Sequence, residues 1–324
     1  LADLNESNPT DPRGEFARSL LESLGLPSSP LQIADGWSNN VRLAPAHVVR
    51  LSPGRFRNSF AHEARILRLL PPEIPHATVV AQGRLGRQEW LVLERVPGVS
   101  LMVAWPSLNK HERARAAREL GTMLRALHQI RIPADLRNPW IDDALAPGGP
   151  RQDAYHAPPA FYREMLVSVQ DVPGVDRGVL DEIGAFIAER LDAFGPEPEV
   201  LVHADVTFAN VMWHDGHMNA LLDFESARPA PRDLELDTLL RFVREPRLVD
   251  WTSQPDKWVG SDLETFTDGL AGAYPGLFSH PCLAARLGVY EALWQLVQLH
   301  HFRPGSGPPD PWGHLLMLIE QGDQ

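Results

Sequence analysis

Asp205, Asn210 and Asp223 lie five and then thirteen residues apart along the chain. The first two belong to Leu201-Val202-His203-Ala204-Asp205-Val206-Thr207-Phe208-Ala209-Asn210-Val211-Met212-Trp213, and the third opens Asp223-Phe224-Glu225. Metal-assisted phosphoryl transfer needs this set of polar groups. One carboxylate takes the proton of an attacking hydroxyl, while an amide oxygen and a second carboxylate hold Mg²⁺ against nucleotide phosphates. Singly, each residue is an ordinary turn former. Together they offer the hard oxygens that suit Mg²⁺, an ion that prefers a few carboxylates, substrate phosphates and water to an all-protein cage.

Such side chains work only if something brings them together. Val211-Met212-Trp213 and the run Met218 to Leu222 are apolar and flank Asp215-Gly216, a strong signal for a two-residue hairpin. A hairpin there returns Asn210, before its first strand, to the side of Asp223, after its second. Asp205, in the loop just upstream, can then face the same volume.

The stretch resembles the kinase-like phosphotransferases of the aminoglycoside and choline kinase type, whose pattern is His-x-Asp, four residues, Asn, and an Asp-led segment on the next strand. The resemblance runs from about Leu31 to the last helices. It implies an α+β, bilobal protein-kinase-like fold, with an N-terminal mixed sheet-plus-helix lobe and a mostly helical C-terminal lobe. The expected boundary divides 1–96, a nucleotide-binding lobe, from 97–324, a catalytic and substrate-binding lobe. The implied donor is ATP or GTP with Mg²⁺. The implied roles are Asp205 as the catalytic base, Asn210 and Asp223 as metal ligands, and His203 as a support of the catalytic loop. Asp233, in Pro229-Ala230-Pro231-Arg232-Asp233-Leu234-Glu235-Leu236-Asp237, is expected to brace that loop. Glu225 is a candidate for a second metal or for the substrate side. Ala204 departs from the pattern, which usually has glycine there.

In the first half, Arg13 to Leu24 has helical spacing and stops at Gly25. Strands are expected around Leu31 to Ala34, at Val41 and at Val48 to Leu51, with a hairpin at Ala44-Pro45-Ala46. The small polar loop containing Ser38, Asn39 and Asn40 can turn backbone N–H groups toward phosphates and resembles the family's nucleotide-covering loop. Arg50 stands where protein kinases carry a strand lysine on the phosphates. Arginine keeps the charge, with a wider fork and a different reach. Its expected partner is Glu63, on a helix predicted over Phe56 to Leu70. Strand Glu89 to Glu94 breaks at Pro97-Gly98. The resemblance implies that backbone groups near Glu94 and Val96 meet the base there.

Farther on, amphipathic helices are predicted over Lys110 to Ile130, Asp176 to Phe194, Trp258 to Tyr274, Pro281 to Phe302 and Pro311 to Gln321. The Pro- and Gly-rich stretch Pro133 to Pro159 reads as a long loop or mobile insert. Asp268, Glu291, Trp294 and Gln298 are candidates for a substrate wall, the last three sharing one helical face.

Composition narrows the function classes. The chain has 324 residues, 44% hydrophobic and 22% charged, as expected of a folded two-lobed protein. A formal charge of −12 argues against a nucleic-acid partner and would favour a cationic small-molecule acceptor. No apolar run approaches the roughly 20 residues needed to span a bilayer, and a single cysteine, Cys282, precludes an internal disulfide. A cytoplasmic enzyme without a membrane partner is expected. His-Glu-x-x-His and Gly-x-Ser-x-Gly motifs are missing, which argues against zinc hydrolases and serine nucleophiles. The expectation is therefore an O-phosphotransferase acting on an antibiotic or related natural product. The alternatives are a kinase of choline, homoserine or a sugar, and a nucleotide-binding pseudoenzyme.

Overall fold

A computed structural model of the chain describes residues 11–34, 39–52, 59–86, 88–244, 263–305 and 310–322. Helix α1 (Pro12–Ser23) starts at Asp11, whose side chain accepts from the Arg13 amide. Gly25, just beyond its end, has φ +70°, the left-handed turn that glycine takes without steric cost. Strands β1 (Gln32–Ala34), β2 (Asn40–Leu43) and β3 (His47–Leu51) follow, then α2 (Ser59–Leu67), β4 (Val79–Leu85) and β5 (Gln88–Glu94). They form one sheet in the order β1-β2-β3-β5-β4, with every pairing antiparallel.

The two faces of this sheet do different work. Alternation along a strand sends successive side chains to opposite sides. Val49 and Leu51 of β3 and Val92 of β5 pack with Ala17 and Leu21 of α1. Arg50 therefore points to the other face, where α2 lies, and is registered against Leu91. The Asp11 carboxylate ties α1 to β2 through Arg42 at 2.9 Å.

After the Pro-Gly break the chain enters a second, mainly helical lobe. Strand β6 (Val99–Ser100) leads into α3 (Leu101–Ala104) and α4 (Lys110–Leu127), which begins with a reciprocal cap between Asn109 and Glu112. Next come α5 (Pro139–Leu145), α6 (Tyr162–Val169), α7 (Arg177–Ala188), β7 (Val200–Val202), β8 (Val211–His214), β9 (His217–Leu221) and β10 (Arg228–Ala230). Helices α8 (Leu234–Arg244), α9 (Leu263–Ala273), α10 (Leu283–Gln298) and α11 (Pro311–Gly322) complete it. β6 joins the β8–β9 hairpin, and β7 pairs with β10. Gly98, at φ +101°, makes the first pairing feasible, because a Cβ there would lie 2.3 Å from the Trp213 carbonyl oxygen.

Residues 133–159 are ordered, contrary to the expectation of a long loop or mobile insert. Asn138 caps α5 by accepting from the Trp140 and Ile141 amides, and Trp140, Ile141, Ala144, Ala154 and Ala157 are buried. Apolar residues spaced between prolines formed a short helix and 3₁₀ turns that were masked by the Pro and Gly content. β4 and α6 were also not anticipated. Among the described residues no helix is long and apolar enough to cross a membrane.

Candidate active site

The hairpin closes as the sequence predicts. Val211 faces Leu221 and His214 faces His217, with Asp215 and Gly216 both at positive φ, +48° and +80°. That pair of values matches the right-handed twist of the strands. At its open end the Leu222 amide donates to the Asn210 carbonyl at 2.8 Å, which sets Asn210 beside Asp223. The Asn210 side-chain nitrogen donates to the Asp205 carbonyl (2.9 Å) and to Asp205 Oδ2 (3.2 Å). Both partners are acceptors, so the amide nitrogen must face them, and the amide oxygen is left for another ligand.

The loop between these residues is held at three points. Phe208 is fully buried against Trp105, Phe242 and Phe266, with ring centroids 4.6–4.8 Å from Trp105, Phe242 and Phe266. His203 Nε2 donates to the Leu222 carbonyl at 2.8 Å, while its Nδ1 accepts from the Asp205 amide at 3.2 Å. Burial pushes the His203 pKa down, in keeping with the neutral ring that this donor–acceptor pair requires. The third hold is Glu235, whose carboxylate accepts from the His203 and Ala204 amides and lies 3.4 Å from His128 Nε2.

The bracing expected of Asp233 is thus found on its neighbour two residues along. Asp233 makes a bidentate pair with buried Arg286 of α10 at 2.6 and 2.8 Å. Two residues apart at the start of a helix, the side chains diverge by about 200°, so one acid reaches α10 while the other reaches the loop. Nothing in the motif alone distinguishes Asp233 from Glu235.

Ala204 adopts φ +65°, a left-handed conformation that explains the family's glycine at this position. Its methyl is buried with Val202, Ala230, Leu234 and Tyr290. Asp223 is also left-handed, with φ +65° and ψ +61°, which turns its carboxylate out of the strand direction and toward Arg50.

Arg50 reaches further than a lysine in its place would. Nη1 pairs with both Glu63 oxygens at 2.6 and 2.7 Å, and Nη2 with Asp223 Oδ1 at 2.8 Å and Glu225 Oε2 at 3.3 Å. Asn39 Nδ2 also donates to Glu225 Oε2, at 3.0 Å, joining the loop after β1 to the turn after Asp223. Oxygens of Glu63, Asp223 and Glu225 lie within 4.8 Å of one another, and one guanidinium cannot balance three ionised carboxylates. Burial pushes the Glu63 carboxyl up to about 8 against the pull of Arg50, with Asp223 and Glu225 adding to the rise. Burial, then Asp223 and Glu225, likewise raise Asp205 well above the ordinary carboxylate range. Crowded carboxylates that ionise with difficulty on their own, and that offer hard oxygens, fit a divalent cation such as Mg²⁺.

The remaining predicted residues are dispersed. Ser38 lies outside the described residues. Asn40 is turned to α1, its Oδ1 accepting from Arg13 at 2.8 Å. Glu94 is exposed and its amide donates to the Thr78 carbonyl, while the Arg95 amide donates to Ala46; Val96 follows, half-buried, where the sheet ends. Asp268 is exposed on α9, which packs on α4 and α8. Glu291 and Trp294 on α10 instead face Arg241 of α8. The sequence did not flag Asn138, which donates to the Glu225 carbonyl at 2.9 Å, or Arg228, which donates to the carbonyls of Ser226 and His156.

A bilobal fold with a carboxylate, an amide and a second carboxylate on a loop-hairpin unit, facing a strand arginine paired with a helix glutamate, defines a kinase-like phosphotransferase. Residues 30–274 match the model of the phosphotransferase enzyme family (APH), so the chain belongs to that family and is a phosphotransferase acting on hydroxyl groups. No curated protein sequence matches the chain. Among solved structures, aminoglycoside phosphotransferase APH(2'')-Ib with ADP bound aligns at TM-score 0.60 and 16% identity, covering 97% of each chain. The gentamicin complex of APH(2'')-IIa aligns at 0.62 and 16%, covering 98% of this chain and 97% of that one. A thermostable mutant of APH(4)-Ia with AMP-PNP and hygromycin B aligns at 0.63 and 20%, covering 95% and 99%.

Proposed function

We propose that the chain transfers the γ-phosphoryl group of ATP or GTP to a hydroxyl of an antibiotic or related natural product, with residues 1–96 forming the nucleotide lobe and 97–324 the catalytic lobe. The observation that carries this reading is the double tie of Asn210. Its side chain is fixed to Asp205 and its carbonyl to the Leu222 amide, so base, amide oxygen and Asp223 share one rigid unit. The acceptor oxygen bonds to the γ-phosphorus as the bond to the β–γ bridging oxygen breaks. The acceptor proton goes to Asp205, the carboxylate that Asn210 holds in place through its side-chain amide. Asn210 and Asp223 would hold Mg²⁺, which offsets phosphate charge when bound. Arg50 would steady the phosphates from the α2 side, held in place by Glu63. The antibiotic-modifying names of the aligned structures support the choice of acceptor class. Incubating the protein with radiolabelled ATP or GTP, Mg²⁺ and a panel of hydroxylated natural products tests the reading. Label should pass to at least one compound; none labelled by the wild type, with either nucleotide, would refute it.

A further inference from the structure

Arg50 sits among the carboxylates that a cation at this site would need. Its Nη1 hydrogens are spent on Glu63, at 2.6 and 2.7 Å, and its Nη2 hydrogens on Asp223 Oδ1 (2.8 Å) and Glu225 Oε2 (3.3 Å). Each terminal nitrogen of a guanidinium carries two hydrogens, so neither end of the fork has one left. A phosphate oxygen can take an end of the fork only in place of a carboxylate.

The two ends are not equally easy to release. Both oxygens of Glu63 chelate Nη1, and the guanidinium carbon lies 5.1 Å from the centroid of the buried Phe60 ring, also on α2. Nη2 reaches instead to the turn after β9, where one of its two contacts is long. Glu225 Oε2 has a second donor in Asn39 Nδ2, at 3.0 Å, so it keeps a partner when Nη2 leaves. Asp223 is the most open of the three acids, its side chain 27% exposed against 1% for Glu63 and 10% for Glu225. Anion exchange at Arg50 therefore falls on Nη2, and the carboxylate it uncovers is Asp223.

One carboxylate does not serve two cations at full strength, because like charges a few ångströms apart repel strongly where water is scarce. A lysine, with one ammonium, could not hold Glu63 and both acids of the turn at once, so this competition comes with the arginine.

We propose that Arg50 Nη2 and the metal are alternative cations for Asp223, and that nucleotide phosphates make the exchange by drawing Nη2 off the carboxylate. Arg50 then has two tasks: it grips phosphate, and it keeps divalent cations off Asp223 until phosphate arrives with them. The inference rests on the phosphotransferase reading and adds to it the condition on which metal is admitted.

Mn²⁺, a paramagnetic stand-in for Mg²⁺, tests the exchange, since electron paramagnetic resonance counts the free ion without any turnover. Titrated into the full chain without nucleotide, Mn²⁺ should bind wild type at least about ten-fold more weakly than Arg50→Gln, the scale of one charged hydrogen bond. Glutamine offers Glu63 a donor but removes the competing charge. Arg50→Lys should gain less than Arg50→Gln yet still bind Mn²⁺ more tightly than wild type, and it carries the test if the neutral variant does not fold. Adding Asp223→Asn to either variant should abolish the gain. With ADP present, wild type should hold Mn²⁺ at least about ten-fold more tightly than ADP does in free solution. Equal affinity in wild type and the Arg50 variants, a gain that survives Asp223→Asn, or wild-type binding as tight without ADP as with it overturns the exchange alone. A wild type that holds Mn²⁺ with ADP no better than ADP does by itself sinks the phosphotransferase reading too.

Discussion

Asp205, Arg50 and Ala204 each make a prediction that depends on one side chain. Asp205→Asn keeps the shape and the hydrogen bond to Asn210 but cannot accept a proton. Transfer should fall by about 10²–10⁴ with nucleotide affinity nearly unchanged, and wild-type turnover in this variant would refute the assignment. For Arg50, the bidentate grip on Glu63 and the second arm on Asp223 and Glu225 are out of reach for one ammonium. Arg50→Lys should raise the KM for nucleotide by about ten-fold, the worth of one lost charged hydrogen bond. Arg50→Met should also destabilise the fold by about 1–3 kcal/mol, because buried Glu63 loses its hydrogen-bond partner; steady-state kinetics reads the first and urea unfolding the second. At Ala204, strain of about 1–2 kcal/mol from the left-handed backbone is opposed by burial of a methyl, about 0.8 kcal/mol. Glycine would also add flexibility to the unfolded chain, at about 0.4–1 kcal/mol. The terms nearly cancel, so Ala204→Gly should change stability by less than about 1 kcal/mol. Ala204→Val, a β-branched residue at φ +65° in a packed core, should cost several times as much. The convergence of Asp205, Asn210 and Asp223 was legible because apolar runs around Asp215-Gly216 signal the hairpin that brings residues at this spacing together. Glu235 and Asn138 were not, since what they bind is backbone, and backbone partners leave no pattern in the sequence.

At the level of elements, the loop that carries Asp205 depends on α8 through one carboxylate. Burial raises the Glu235 pKa, but the hydrogen bond and charge of His128 and the His203 contacts outweigh it and leave the value below the ordinary 4.5. A depressed native pKa stabilises the fold above the unfolded value and loses that contribution as pH falls through the native one. Glu235→Gln should therefore be less stable than wild type at pH 7, with the gap narrowing as pH drops below 4.5. Equilibrium urea unfolding at a series of pH values reads this, and a gap independent of pH would rule out a charged brace. The strands and long helices were readable from alternation and from the 3.6-residue period. The 133–159 segment was not, because its helix is a short one whose cap, Asn138, also serves the turn after Asp223. Its prolines and glycines looked like loop composition when they mark the ends of short turns.

Across the whole molecule, the turn at residues 224–226 is where the parts meet. Asn39 and Arg50 reach Glu225 from the sheet, His62 of α2 lies 2.7 Å from the Ala227 carbonyl, and Asn138 of the insert holds the Glu225 carbonyl. Arg228 extends the connection to His156. The bilobal arrangement could be expected from the family pattern, but this convergence could not, since it joins residues up to 186 positions apart through contacts that no local periodicity encodes. It has a thermodynamic consequence. A ligand that engages Asp223 acts on a junction of both lobes, so it should stabilise the global fold rather than a single loop. At nucleotide concentrations about 100 times Kd the gain is about 2.7 kcal/mol, equivalent to a rise in Tm of several degrees. ATP with Mg²⁺ should produce that shift by calorimetry. In EDTA, or in Asp223→Ala, most of it should vanish, because the nucleotide then lacks the cation that couples its phosphates to the junction. Asn210→Ala should lose less, since a neutral amide oxygen holds a cation less strongly than a carboxylate. An equal shift with and without Mg²⁺ in the wild type would mean that Asp223 serves Arg50 alone, and the metal roles of both residues would have to be withdrawn.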